Sequence, residues 1–155
     1  MSDHSLRTVS LSRLEKGRYL ATNRHGVTLE LGGDGTTSFS PVELLLAAIA
    51  GCSGIDVDYI TSKRAEPEAL DLRITADKVR DDSGNHLTDI TLTFDIRFPE
   101  GEAGDAARAV VPRAVAQSHD RLCTVSRTVE LGTPIATHIV GGDGADGAAA
   151  DSAAG

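Results

Sequence analysis

The stretch Leu44-Leu45-Leu46-Ala47-Ala48-Ile49-Ala50 has no polar face at any helical angle. It follows Ser40-Pro41-Val42-Glu43, which carries three helix-start signals. Ser is a good N-cap, Pro suits the first helical position, and Glu three residues past the cap completes a capping box. The pattern predicts a long helix from Ser40 to about Arg64. A helix that is apolar all round is buried all round. A chain of 155 residues with one further helix and a sheet has little with which to surround it. The helix therefore predicts a homodimer of two-fold symmetry whose interface includes it.

Charge removes two classes of partner. Lys and Arg total 15 against 23 Asp and Glu, a net charge of −8. A nucleic-acid binder needs a basic face to meet phosphate, and so does a protein that adheres to anionic membrane. The run from Leu44 to Cys52 falls short of the roughly 20 residues that a membrane helix needs. Met1 to Leu11 lacks the basic and then apolar segments of a secretory signal. Two cysteines without a Cys-x-x-Cys pair suggest neither a disulfide-stapled fold nor a zinc ribbon. The expected setting is cytoplasmic, with thiols kept reduced. With two Tyr, three Phe and no Trp, the core has to be built from Leu, Ile, Val and Ala.

Hydrophobic period divides the chain into a body, residues 1–140, and a tail, 141–155. The tail contains only Gly, Ala, Asp and Ser, too little apolar area to offset its ordering entropy, and is expected to be disordered. Thr8–Leu14, Arg18–Asn23 and Val27–Leu31 read as three strands. After the helix, Leu70–Val79 and Leu87–Phe98 read as two more, turning at Asp81–Asn85. In the second of these, Ile90, Leu92, Phe94, Ile96 and Phe98 alternate without a fault. A second helix is expected from about Ala103 to His119, bent at Pro112. A final strand is expected at Thr133–Val140. The order βββ-α-ββ-α-β is an α+β pattern, mostly antiparallel.

Cys52 lies in the first helix between Gly51 and Ser53, with Gly54 next. Most buried cysteines are small core hydrophobes, and that is one reading of it. A thiol in an apolar site has a raised pKa and is a poor nucleophile, so a reactive Cys52 needs a cation from elsewhere in the fold. Arg13, Lys16 and Arg18 on the first hairpin are candidates, with Arg24 following. Each also reads as an ordinary strand-edge charge. Asp56 and Tyr59 share the face of Cys52. Asp56 either orients an arginine there or marks where the helix leaves the core. Cys123 falls at the end of the second helix, four residues after His119. That spacing suits a metal or a Cys–His pair, or a His with no role. No pattern supplies two further ligands, so neither metal nor other cofactor is expected.

The stretches Ser40–Ala48 and Ala50–Val57, and the segment Arg121-Leu122-Cys123-Thr124-Val125-Ser126, resemble the two cysteine motifs of the OsmC/Ohr family. This is the family of osmotically inducible protein C and organic hydroperoxide resistance proteins. The resemblance extends over roughly residues 7–140. It implies an interleaved homodimer with long central helices packed at its core and two active sites at the subunit interface. It also implies reduction of organic hydroperoxides without a metal or haem. Carried onto this chain, Cys52 is the peroxidatic thiolate, and Cys123 the resolving thiol that closes a disulfide for an external dithiol to reduce. The activating arginine of the family comes from the first hairpin, where Arg18 is the match. Its activating glutamate directly follows the helix-start proline, but here that position is Val42 and the acid is Glu43. Nine residues separate Glu43 from Cys52, about 900° of helix, which puts them on opposite sides. Capping is therefore the other role open to Glu43. Cys123-Thr124 also stands where those peroxidases commonly have Cys-Pro, which places the chain nearer the less characterised branch. The alternative function is a dimer that binds a small apolar ligand in an interface pocket, its cysteines structural.

Overall fold

The computed structural model describes residues 5–141. Its order is β1 (Val9–Glu15), β2 (Arg18–Asn23), β3 (Thr28–Gly32), α1 (Pro41–Thr61), β4 (Ala69–Asp81), β5 (Gly84–Arg97) and α2 (Glu102–Gln117). A π-helical turn, Ser118–Leu122, and α3 (Thr124–Glu130) complete it. The Gly/Ala/Asp tail falls almost wholly outside the described residues.

The expected α+β architecture is present. Strands β1, β2 and β3 form one antiparallel sheet, and β4 and β5 a second. The long hairpin turns where Asp81 Oδ1 accepts the Ser83 amide at 2.8 Å. Leu70, Leu72 and Ile74 of β4 stand opposite Ile96, Phe94 and Leu92 of β5. A bulge follows, where Asp89 takes a positive φ of 53° and sets two β5 residues against one of β4.

Helix α1 begins as its sequence dictates. Ser40 Oγ accepts the Glu43 amide, and Glu43 Oε2 accepts the Ser40 amide at 2.8 Å. The helix packs on β4, α2, the π turn and α3. Gly54 serves the first of these contacts: a Cβ there would come within 3.1 Å of Leu72 Cδ1. Buried Ile49, Val57, Phe98, Ala107 and Ala114 form the core between α1, α2 and the β4–β5 hairpin.

Two expectations need correction. Thr133–Val140 is not a strand; Ile135 and Ile139 are 92% and 94% exposed. Alternating apolar residues make a strand only against a free sheet edge, and this segment meets none among the described residues. The second helix does not run on to His119. It passes through Pro112, ends at Gln117, and gives way to the π turn and then to α3, which the periodicity did not separate.

Candidate active site

Two cysteines 71 positions apart in sequence meet where α3 packs on α1. Cys52 is half-buried on α1. Cys123 is fully buried, and the π turn places it there. Within that turn the Cys123 amide bonds the Ser118 carbonyl at 2.9 Å. The buried Ser118 hydroxyl donates to Asp56 Oδ2 at 2.8 Å, tying the turn to α1 one helical turn beyond Cys52. Cys123 then leaves helical geometry (φ −69°, ψ 96°) and caps α3. Its sulfur accepts the Ser126 amide at 3.3 Å and lies 3.1 Å from the Ser126 hydroxyl oxygen.

The surroundings split the two thiols. Burial pushes the Cys52 thiol up, and hydrogen bonding with Cys123 and the nearby Asp56 carboxylate push it the same way. The Val125 amide opposes them without reversing the direction. Burial also pushes the Cys123 thiol up, but hydrogen bonding from Ser126, Cys52 and Ser53 outweighs it, and Cys123 ends below its ordinary value.

Beside the pair is a cavity of about 540 Å³. Ile49, Leu92, Phe94, Val115 and Val129 make its walls apolar. Ser53 and Ser126 line its buried end, and His119, Asp120 and Glu130 line its exposed end.

His119 is not paired with Cys123. Its Nδ1 lies 3.1 Å from Asp120 Oδ1 and its Nε2 2.9 Å from Glu130 Oε1. Four-residue spacing aligns two side chains only in continuous α-helix, and the π turn interrupts it. The hydrogen bond to Asp120, and after it the charge of Glu130, raises the His119 pKa above its ordinary value. The folded state therefore holds that proton more tightly than the unfolded chain. The resulting stabilisation is complete below about pH 6.5 and is lost as pH rises through the folded pKa. Following the His119 ring protons by NMR should give a midpoint above 6.5, and Asp120→Asn should lower it.

The other two expected site residues are engaged elsewhere in their own chain. Arg18 is ion-paired with Glu15 at 2.8 Å and with Glu30 at 2.6 Å. Glu43 is held by Ser40, and that hydrogen bonding keeps its carboxyl below the usual range. Tyr59 projects from the outer face of α1. Ser53, Ser126 and the Asp56–Ser118 contact were not foreseen. The spacing Cys123-x-x-Ser126 did hold a signal, since cap and third helical residue are the positions that exchange hydrogen bonds.

One apolar central helix carrying a cysteine, and a second cysteine capping the helix packed on it, define a small α+β protein built around a thiol pair. The chain belongs to the OsmC-like protein family, whose family model matches residues 32–138. It is 32% identical over 108 residues to the protein YhfA of Escherichia coli K12, covering 69% of this chain and 75% of that one. It is 26% identical over 125 residues to the uncharacterized protein Rv2923c of Mycobacterium tuberculosis, covering 79% and 88%. The fold is similar to that of the OsmC-like protein of unknown function VCA0330 from Vibrio cholerae. That match has a TM-score of 0.69 and 13% identity, covering 82% of this chain and 95% of that one. A hypothetical protein from Aquifex aeolicus matches with a TM-score of 0.67 and 22% identity, covering 84% and 91%.

Proposed function

We propose that this protein reduces organic hydroperoxides in the cytoplasm through the Cys52–Cys123 pair, working as a homodimer. The observation that carries the reading is the apposition of the two sulfurs beside an apolar cavity. One thiolate takes the distal oxygen of the peroxide, releasing an alcohol and becoming a sulfenic acid. The other thiol condenses with it, forming a disulfide and water. An external dithiol then reduces the disulfide by exchange. Arg18 and Glu43 already have partners in their own chain, so the reading does not depend on them.

Two faces support the dimer. Leu45, Ala48, Cys52, Ile55 and Tyr59 lie on one stripe of α1, and Ile55 and Tyr59 are 56% and 71% exposed. The β1–β3 sheet packs chiefly on itself, and every residue of β1 is exposed. A second copy laid on the α1 stripe would cover apolar area that one chain leaves in water. By length and composition alone α1 could also cross a membrane. Its packing on four other elements supports a core helix instead.

The test is titration of the reduced protein with cumene hydroperoxide. Two thiols should be lost per chain, with an intramolecular disulfide in the wild type and a persistent single-oxygen adduct when one cysteine is serine. Thiols that survive hours of excess peroxide would defeat the proposal. The cavity favours a second reading in that event, a carrier of a small apolar ligand. Native mass spectrometry of the purified protein would then reveal a bound molecule.

A further inference from the structure

The peroxidase reading needs two thiols to meet, and the following rests on that reading. We propose that Ser118 and Asp56 are positioning residues, a latch between the π turn and α1 that holds Cys123 where it can close the disulfide on Cys52.

Ser118 is bonded on three sides. Its amide donates back to the Ala114 and Val115 carbonyls of α2. Its carbonyl accepts the Cys123 amide at 2.9 Å, the bond that closes the π turn. Its hydroxyl donates to Asp56 Oδ2 at 2.8 Å. The first two bonds fix the Cys123 backbone relative to α2. The third crosses to α1, four residues and so one helical turn beyond Cys52.

Burial shows what the latch holds. Ser118 and Cys123 are buried, while His119, Asp120, Arg121 and Leu122 between them are exposed. The turn is therefore gripped at its two ends. A hydroxyl as buried as that of Ser118 needs an acceptor within the protein. Asp56 offers a charged one, which makes the stronger kind of hydrogen bond. Two apolar groups of the same shape would serve stability nearly as well, so what the bond adds is direction. Beyond the turn, His119 Nε2 lies 2.9 Å from Glu130 Oε1 of α3, and the Cys123 sulfur accepts the Ser126 amide at 3.3 Å. The turn and α3 thus form one piece, and the Ser118–Asp56 bond joins that piece to α1.

Disulfide closure is the step that needs such a joint. The bond tolerates only a narrow range of Cα separation, about 4.4–6.8 Å. A misplacement of about 1 Å can cost a hundredfold in rate. With the sulfenic acid on Cys52, as the resemblance implies, the Cys123 sulfur attacks the Cys52 sulfur. The S–S bond forms as the S–O bond breaks, and the hydroxide leaves as water with the thiol proton of Cys123. Forming the sulfenic acid takes one sulfur and the peroxide, whereas closing the disulfide takes both elements in register. The latch acts on the second step.

Rapid-quench mass spectrometry of the reduced chain with cumene hydroperoxide follows the single-oxygen adduct and the disulfide separately. Ser118→Ala should lower the ratio of closure rate to adduct-formation rate by at least about tenfold, so that the adduct accumulates and dimedone labels it. Asp56→Ala should do the same. Asp56→Asn keeps an acceptor oxygen without the charge, and should hold the ratio to within about threefold of wild type. Ser118→Ala combined with Asp56→Ala should cost no more than the worse single variant, because the two residues make one contact. Circular dichroism verifies folding, and should Ser118→Ala not fold, the two Asp56 variants read the same bond. A second arm uses glutathione redox buffer and no peroxide. There the equilibrium constant for forming the Cys52–Cys123 disulfide should fall about tenfold in Ser118→Ala, about 30 mV for this two-electron couple. An unchanged ratio in Ser118→Ala, an Asp56→Asn as slow as Asp56→Ala, or effects that multiply in the double variant would each overturn the latch and leave the peroxidase reading standing. A wild type that forms neither adduct nor disulfide with peroxide overturns the peroxidase reading instead, and the glutathione arm then decides the latch by itself.

Discussion

Gly104→Ala is expected to cost about 3 kcal/mol or more, at the upper end of what overpacking does. The reason is a backbone contact in the first turn of α2. A Cβ on Gly104 would lie 1.8 Å from the Pro99 carbonyl oxygen and 2.9 Å from its carbon. Neither atom can swing aside as a side chain would. Relief requires α2 to move from the strand that feeds it. That movement would also strain Arg108, whose Nη2 donates to the Phe98 and Pro99 carbonyls at 3.1 Å each. Phe98 and Ala107, both buried, sit on the two sides of this junction. For a chain of this size the loss corresponds to a fall in Tm of about 6–12 °C. Differential scanning calorimetry reads it directly. A Tm within about 2 °C of wild type would show that the junction can open without cost.

Ile55→Arg should convert the proposed dimer to monomers. Ile55 stands on the exposed stripe of α1 between Cys52 and Tyr59. Burying an unpaired guanidinium at the centre of an interface costs about 4 kcal/mol, roughly a thousandfold in Kd. Light scattering after size exclusion should give twice the chain mass for wild type and the single-chain mass for the variant at equal concentration. Because the residue is exposed in one chain, the variant should keep its helical circular dichroism. A wild type that runs as a monomer at all concentrations would refute the dimer. A dimeric Ile55→Arg would move the interface off this face.

These two positions differ in how far sequence reasoning reached them. The dimer follows from a helix stretch with no polar face, Leu44 to Ala50, whereas the exposure of Ile55 on α1 comes from the structure. Gly104 carries no such signal. Its constraint comes from a turn of chain five residues back, and only the path of that turn shows what a methyl group would meet.

The site divides in the same way. That Ser40 and Glu43 cap α1 was legible, because both partners of a capping box lie within four residues. The strand alternation of β5 was legible for the same reason. Helix α3 was not: seven residues at the end of a longer helical pattern have no period of their own, and the π turn that separates them is a break in packing. Arg18 was a reasonable candidate as a strand-edge cation, but its charge is answered by Glu15 beside it and by Glu30 across the sheet.

Local pattern sufficed to determine the α+β class, the capping box of α1 and the hairpin turns, since each depends on residues a few positions apart. Tertiary structure alone decided that Asp56 is fixed by Ser118, that α3 packs Cys123 toward α1, and that Ser53 and Ser126 line one cavity. Such contacts join positions far apart along the chain, 62 residues for Asp56 and Ser118. A thiol's proton affinity depends on which dipoles and charges lie within a few ångströms of it, and that is a property of packing rather than of order along the chain.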